Sequence, residues 1–316
     1  MDDVKQIEVA MIGAGPSALA AAVYTSREHI DTVLFEKGVI GGLAAITDKI
    51  DNYPGFDKGI EGMELATKLQ NQAERFGATI ELAEVSNISS HDNGNVLLET
   101  TSGNYEAKAV LIATGSDYKK LGIPGEEEFY GRGVHYCATC DGAFYKDKKV
   151  IVVGGGNSAA QEALFLTRFT KDITMLIRSD WSASEVLIDE VEANENIKIL
   201  KGVTTDEIVA NEDRKVEKVI GTNSESGETI EIEADGVFIF IGLKPNTKFL
   251  QDTKVELDEI GFIKAGADQK TTIEGVFVSG DVRSGATMQI ASAVGEGATA
   301  ALKIREYLEE KARKAK

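Results

Sequence analysis

The chain carries the same short pattern twice: an apolar strand, a glycine-rich turn and a small-residue helix. In the first copy, apolar residues 7–12 lead into Gly13-Ala14-Gly15-Pro16-Ser17-Ala18, and an Ala-rich helical stretch runs to about Arg27. A second apolar run, residues 32–35, ends in Glu36. In the second copy, residues 149–153 lead into Gly154-Gly155-Gly156-Asn157-Ser158-Ala159, a helix to about Thr167 and a strand at 173–177. This is the arrangement that binds a dinucleotide. One glycine permits the tight turn, another lets the backbone approach a pyrophosphate, and a small third residue lets helix and strand pack closely. Gly13 and Gly15 fill the first two roles, with Ala18 in the third. Pro16 and Ser17 open the helix, and Glu36 stands where an acid accepts hydrogen bonds from a ribose diol. A lone glycine turn also simply connects a strand to a helix, so the strand before, the helix after and the acid at the right distance carry the reading.

Each copy closes on an apolar strand ending in glycine, Val110 to Gly115 and Val237 to Gly242, after a polar β-rich stretch suited to a meander (79–105 and 197–232). A last block, Gly275 to Val282, is strand-like without a glycine turn of its own, and a long Ala-rich helix (289–308) follows it. The expected fold is therefore α/β, with two Rossmann-like dinucleotide-binding domains of the three-layer ββα type, the second inserted into the first. Residues 1–116 and 246–316 would form one discontinuous dinucleotide-binding domain, and residues 117–245 the other.

That second segment holds the only two cysteines, Cys137 and Cys140. An isolated C-x-x-C points to redox or metal chemistry rather than to a secreted disulfide framework. Zinc would need four ligands, and of three histidines only His135 is near, so a metal site is not expected. C-x-x-C geometry lowers a thiol pKa toward neutrality, and the thiolate is the form that attacks a disulfide. Asp141 follows directly; it opposes thiolate formation but can pass a proton to and from sulfur. Taken alone, Asp141 reads as a turn residue before Gly142, and His135 as ordinary polar structure, a loop residue ahead of a tuner of the cysteine pair. With a net charge of −18 the surface repels nucleic acid and anionic membranes. The start lacks a basic leader, and the uncharged stretch 9–26 contains turn glycines, so a cytoplasmic protein is expected.

With these residues in view, the chain resembles the low-molecular-weight thioredoxin reductases over nearly its whole length. The matching motifs are GAGPSA, Gly41-Gly42, NYPG at 52–55, ATG at 113–115, CATCDG at 137–142, GGGNSA, and GDV at 280–282. The resemblance implies a cytoplasmic homodimeric flavoprotein enzyme that reduces thioredoxin, with 1–116 and 246–316 as its discontinuous FAD-binding domain and 117–245 as a pyridine-nucleotide-type domain carrying the dithiol. Cys140 would be the sulfur facing the flavin, Cys137 the one attacking thioredoxin, and Asp141 the acid. Gly13, Gly15, Glu36, Gly41, Gly42, Asn52, Thr114, Gly115 and Asp281 would line the FAD site.

Three departures concern the electron donor and the flavin surroundings. NADPH-using relatives follow the second glycine motif with a histidine and an arginine cluster that grips the 2′-phosphate. Here the segment reads Arg178-Ser179-Asp180-Trp181-Ser182, with Glu185 beyond. Leu43 stands where Gln is usual, and Met288-Gln289 where Arg-Gln is usual, leaving Gln289 as a flavin contact. The loss of the arginines resembles relatives that take electrons from ferredoxin. This places reduced ferredoxin slightly ahead of NADH as donor, with NADPH third. A non-catalytic FAD-binding redox sensor is the reading from a different class. Trp181 reads as a surface or interface aromatic, and the charged run 305–316 as a fraying helix end.

Overall fold

The computed structural model describes residues 4–314 apart from 48 and 92. The first three residues, where a leader would begin, and the last two of the charged C-terminal run lie outside these. The chain divides into two compact units, one formed by residues up to Asp117 with those from Lys244 onward, the other by Tyr118–Leu243.

The first unit is built on a sheet in the order Thr79–Leu82, Thr32–Glu36, Lys5–Ile12, Gly103–Ile112, Val96–Thr100, Val85–Ser90. The strand Gly103–Ile112 does two jobs. Along one edge, from Tyr105 to Ile112, it lies parallel to Lys5–Ile12; on the other edge its first half pairs antiparallel with Val96–Thr100 and its second half parallel with the returning strand Val276–Val278. Apolar residues therefore fill both faces of the central strands, as parallel strands covered on both sides require. Ala10, Ile12, Val33, Phe35, Val110, Ile112, Val276 and Val278 point into the core on the meander side. Their neighbours Val9, Met11, Leu34, Ala109, Leu111 and Phe277 point to the helices. The period of two is unbroken across four strands.

On that helical face lie Pro16–Arg27 and Ile290–Lys314. Small residues allow close approach: a Cβ on Gly297 would sit 2.0 Å from the Ser17 carbonyl oxygen. The C-terminal helix continues through Lys314, well past the expected end near 308. Its charged end is anchored rather than frayed. Lys311 Nζ donates to Gly94 O at 2.6 Å and Asn95 Oδ1 at 2.7 Å, and Arg305 pairs with Glu28 at 2.9 Å.

The second unit repeats the plan with a parallel sheet ordered Ile197–Lys201, Asp172–Ile177, Lys149–Val153, Gly236–Ile239, Val134–His135. Val150, Val152, Met175 and Phe238 face the helix Asn157–Leu166. Ile151, Val153, Leu176 and Ile239 face a three-stranded meander of Glu207–Ala210, Val216–Thr222 and Thr229–Glu233. Among the described residues no helix is long and apolar enough to cross a membrane.

Candidate active site

In the second unit, the dithiol follows the edge strand Val134–His135. Cys137 caps the one-turn helix Ala138–Asp141, and its sulfur accepts the Cys140 backbone N–H at 3.1 Å. Cys137 and Cys140 are joined as a disulfide with their Cα atoms 5.3 Å apart. Both are half-buried, whereas Thr139 between them is exposed. Asp141 is bound into the same turn, its N–H donating to Cys137 O at 3.2 Å.

Three further residues support this turn, of which the sequence reading named only His135 and missed Tyr145 and Glu162. His135 is not a loop residue: it lies in a strand, its side chain 6% exposed, with Nδ1 3.1 Å from Asp141 Oδ2. Its Nε2 lies 2.6 Å from the Tyr145 hydroxyl. Glu162, from the helix after the second glycine turn, accepts the N–H of fully buried Ala138. Burial pushes the Glu162 carboxyl above the ordinary glutamate range, against the opposing effect of that bond. Its Oε2 is buried without a hydrogen-bond partner. Only the C-x-x-C itself marks this neighbourhood in the sequence, because His135, Tyr145 and Glu162 reach it by folding.

The first unit gathers the residues expected at the dinucleotide site. Gly13 has φ +99°, and a Cβ there would lie 2.5 Å from Ala113 O, next to Thr114 and Gly115. Gly15 has open space where its Cβ would be, at the start of a helix with Pro16 in its first turn and no side-chain cap. That leaves the helix N-terminus accessible to an anion. Glu36 accepts Ala14 N–H at 2.8 Å and Gly38 N–H at 2.7 Å. Gly41 N–H donates to Ala14 O at 2.8 Å, and a Cβ on Gly42 would lie 3.8 Å from Gly15 Cα. The Ser17 hydroxyl bonds Ser279 at 2.7 Å, placing the loop Gly280-Asp281 at the same helix start. Thr114 Oγ1 donates to Asn246 O at 2.8 Å, so its hydroxyl holds the chain rather than facing a ligand. Asn52 and Gln289, 237 residues apart, meet at 3.1 Å.

Asp281 carries the most informative chemistry. Burial, and secondarily the Glu296 charge, raise its carboxyl to about 6, and it makes no hydrogen bond to a described residue. A ligand hydroxyl would supply the missing donor. Together with the open face of Gly15, this fits an FAD, with its pyrophosphate at the helix start and a hydroxyl on Asp281. Glu296, missed at the sequence level, braces the loop by accepting Gly280 N–H at 2.9 Å and Arg283 Nε at 3.1 Å.

The second glycine turn is engaged by its own chain. Ser182 N–H donates to Gly155 O at 2.8 Å, and Ser184 N–H donates to Asn157 Oδ1 at 2.8 Å. Ser182 Oγ would lie 3.5 Å from a Cβ on Gly156. Trp181 is packed against the second core, with Nε1 donating to Glu192 at 3.2 Å and Lys201 5.8 Å from its ring. It is a packed aromatic and not a bare surface residue. Lys201 also pairs with Asp180 at 3.4 Å and with Glu192 at 3.7 Å, so this cation is already matched to acids.

Comparison with known proteins places these sites in context. The pyridine nucleotide-disulphide oxidoreductase family profile matches residues 7–297. Thioredoxin reductase of Bacillus subtilis (strain 168) is 40% identical over 311 residues, covering 98% of this chain and 97% of that protein. The enzyme of Treponema pallidum (strain Nichols) is also 40% identical, over 96% of this chain and 97% of that protein. Thioredoxin reductase from Streptococcus pyogenes MGAS5005 superposes with a TM-score of 0.92 at 38% identity, over 98% of this chain and 100% of that one.

Proposed function

Because this chain belongs to the pyridine nucleotide-disulphide oxidoreductase family, and within it to the thioredoxin reductases, we propose that it reduces thioredoxin through Cys137 and Cys140, with electrons reaching its FAD from reduced ferredoxin. The observation that carries the reading is the lone C-x-x-C disulfide tied to Asp141 in one turn. Bound FAD would supply two electrons to that disulfide. The Cys137 thiolate then attacks the thioredoxin disulfide and forms a mixed disulfide. Cys140, losing its proton to Asp141, attacks Cys137 sulfur, which restores the enzyme disulfide and releases reduced thioredoxin. Gly13, Gly15, Pro16, Ser17, Glu36, Gly41, Gly42, Asn52, Thr114, Gly115, Asp281 and Gln289 form or brace the FAD site, in the discontinuous unit. The inserted unit carries the dithiol. The enzyme works as a homodimer in the cytoplasm.

The second glycine turn supports the choice of donor. A 2′-phosphate needs paired guanidinium groups. The segment offers Arg178 and, at the turn, Asp180, whose side chain is 80% exposed. Ser182 and Ser184 take the backbone and side-chain groups of Gly155 and Asn157. Ferredoxin therefore ranks ahead of NADH, and NADPH third.

The test is anaerobic mixing of the purified flavoprotein with reduced ferredoxin, NADH or NADPH while flavin absorbance is followed. Prompt bleaching by ferredoxin is expected, and rapid bleaching by micromolar NADPH overturns the ordering. Cys140→Ser should keep its flavin and lose thioredoxin reduction. A variant as active as wild type would defeat the dithiol mechanism, whereas a wild-type flavoprotein that does not reduce thioredoxin would be a flavin-binding sensor instead.

A further inference from the structure

We propose that His135 is a positioning residue for the dithiol: its Nδ1–H holds the Asp141 carboxylate beside Cys137 and Cys140, and Tyr145 sets the tautomer that makes this bond. The inference rests on the reading of the cysteine pair as the outlet and Asp141 as its acid.

An ionised carboxylate can only accept, so the 3.1 Å contact from Nδ1 to Asp141 Oδ2 requires the imidazole hydrogen on Nδ1. In a neutral ring Nε2 is then the acceptor, and the Tyr145 hydroxyl at 2.6 Å is its donor. Tyr145 keeps its proton over the working range, because burial, followed by the charges of Asp141 and Asp235, pushes the phenol pKa upward. The ring is also held sterically. It stacks on Phe238 at 5.1 Å and meets Tyr145 edge-on at 5.2 Å. The backbone of His135 is in register with Phe238 across a parallel strand pair. The edge strand thus presents the Nδ1 edge of the imidazole to the acid, and the acid's own N–H is tied to Cys137 O. This is how a proton-transfer group is oriented by a third residue. When Cys140 gives up its proton, Asp141 receives it. A carboxylate free to swing away would receive it less often.

Two conservative variants separate this role from simple filling of a buried site. Asn at 135 can place its amide nitrogen near the Nδ1 position, keeping the donor to Asp141. Gln reaches the Nε2 position, toward Tyr145, and loses that donor. Each protein is reduced with dithiothreitol, desalted anaerobically and mixed with dithiobis(nitrobenzoate), a small disulfide that needs neither thioredoxin nor an electron donor. Wild type should release two nitrobenzoate thiolates as its own disulfide re-forms. For the second release, His135→Gln should be slower by at least about tenfold, a fraction of the roughly 10²–10⁴ a placed proton-transfer group contributes, and His135→Asn within about twofold of wild type. Melting temperature and bound flavin report whether each variant folds. Equal rates for Gln and wild type, or equal losses in both variants, would overturn the positioning role. Absence of the second release in wild type would instead sink the outlet reading beneath it.

The unmodified protein provides an independent check. With only three histidines, the His135 ring nitrogens can be assigned by ¹⁵N NMR. A neutral ring protonated on Nδ1 is expected in the oxidised enzyme. The opposite tautomer would overturn the proposal without any variant.

Discussion

Gly13 and Ala113 are packed so closely that a Cβ on Gly13 would lie 2.5 Å from the Ala113 carbonyl oxygen. Gly15, two residues on, would meet nothing within 4 Å. The two glycines of one motif therefore differ: the fold requires one, and the other leaves open space that the proposed FAD would use. Gly13→Ala should destabilise the apoprotein by at least about 2 kcal/mol, from overpacking and from a side chain in the left-handed region. Gly15→Ala should leave apoprotein melting unchanged and weaken FAD binding, read by flavin retention on a desalting column. Equal loss of stability in both would refute this division.

The proposed donor preference can be tested by charge. Asp180→Arg replaces an exposed acid at the second glycine turn with the guanidinium that a 2′-phosphate requires. One charge-assisted bond contributes about 1.5–3 kcal/mol, so NADPH-driven flavin reduction should rise about tenfold or more. Ferredoxin-driven reduction should stay the same. A variant indifferent to NADPH would show that something other than the missing cations closes this turn.

Two carboxyls give opposite pH dependences. Glu106 accepts from Asn93, Gln6 and Asn95, which lower its carboxyl to about 2. Its contribution to stability is present above the ordinary value of 4.5 and is lost as pH falls toward 2. Asp281 is raised to about 6, mainly by burial. Here the folded state binds the extra proton, so stability is greatest below 3.8 and falls as pH rises through 6. In apoprotein melts, Glu106→Gln should flatten the acid limb and Asp281→Asn the limb approaching pH 6. If Asp281→Asn left the latter limb unchanged, the buried carboxyl would not be its source.

Glu162 makes a third titration test beside the dithiol. Its folded pKa is raised, so it favours folding below the ordinary value of 4.5 and loses that contribution as pH climbs through the folded value. Glu162→Gln keeps an acceptor for Ala138 N–H and removes the charge. It should melt higher than wild type near pH 8, with the gap closing toward pH 4. Glu162→Ala strands a buried N–H, at a cost of about 1–3 kcal/mol at every pH. A Gln variant that melts lower throughout would contradict the assignment.

Much of this molecule was legible along the chain. The strand, glycine turn and helix recur with local spacing, so the hydrophobic period and the turn residues announce them before any tertiary contact forms. The same holds for the C-x-x-C, whose partners are three residues apart, and for Val276–Val278, an apolar run that could only be a buried strand. Other features depend on side chains far apart in sequence. Ser17 finds Ser279 across 262 residues, and Lys311 finds Asn95 across 216, which turns a charge run that reads as a loose end into an anchored helix. His135 and Asp141 are close in sequence, yet their bond was not readable either. It exists because a short edge strand pairs with Gly236–Ile239 and sets the imidazole between Phe238 and Tyr145. Local pattern determined the two dinucleotide folds and the dithiol. Tertiary packing decided which polar groups are buried together, and therefore which of them lie beside the dithiol turn, because burial is a property of the assembled chain.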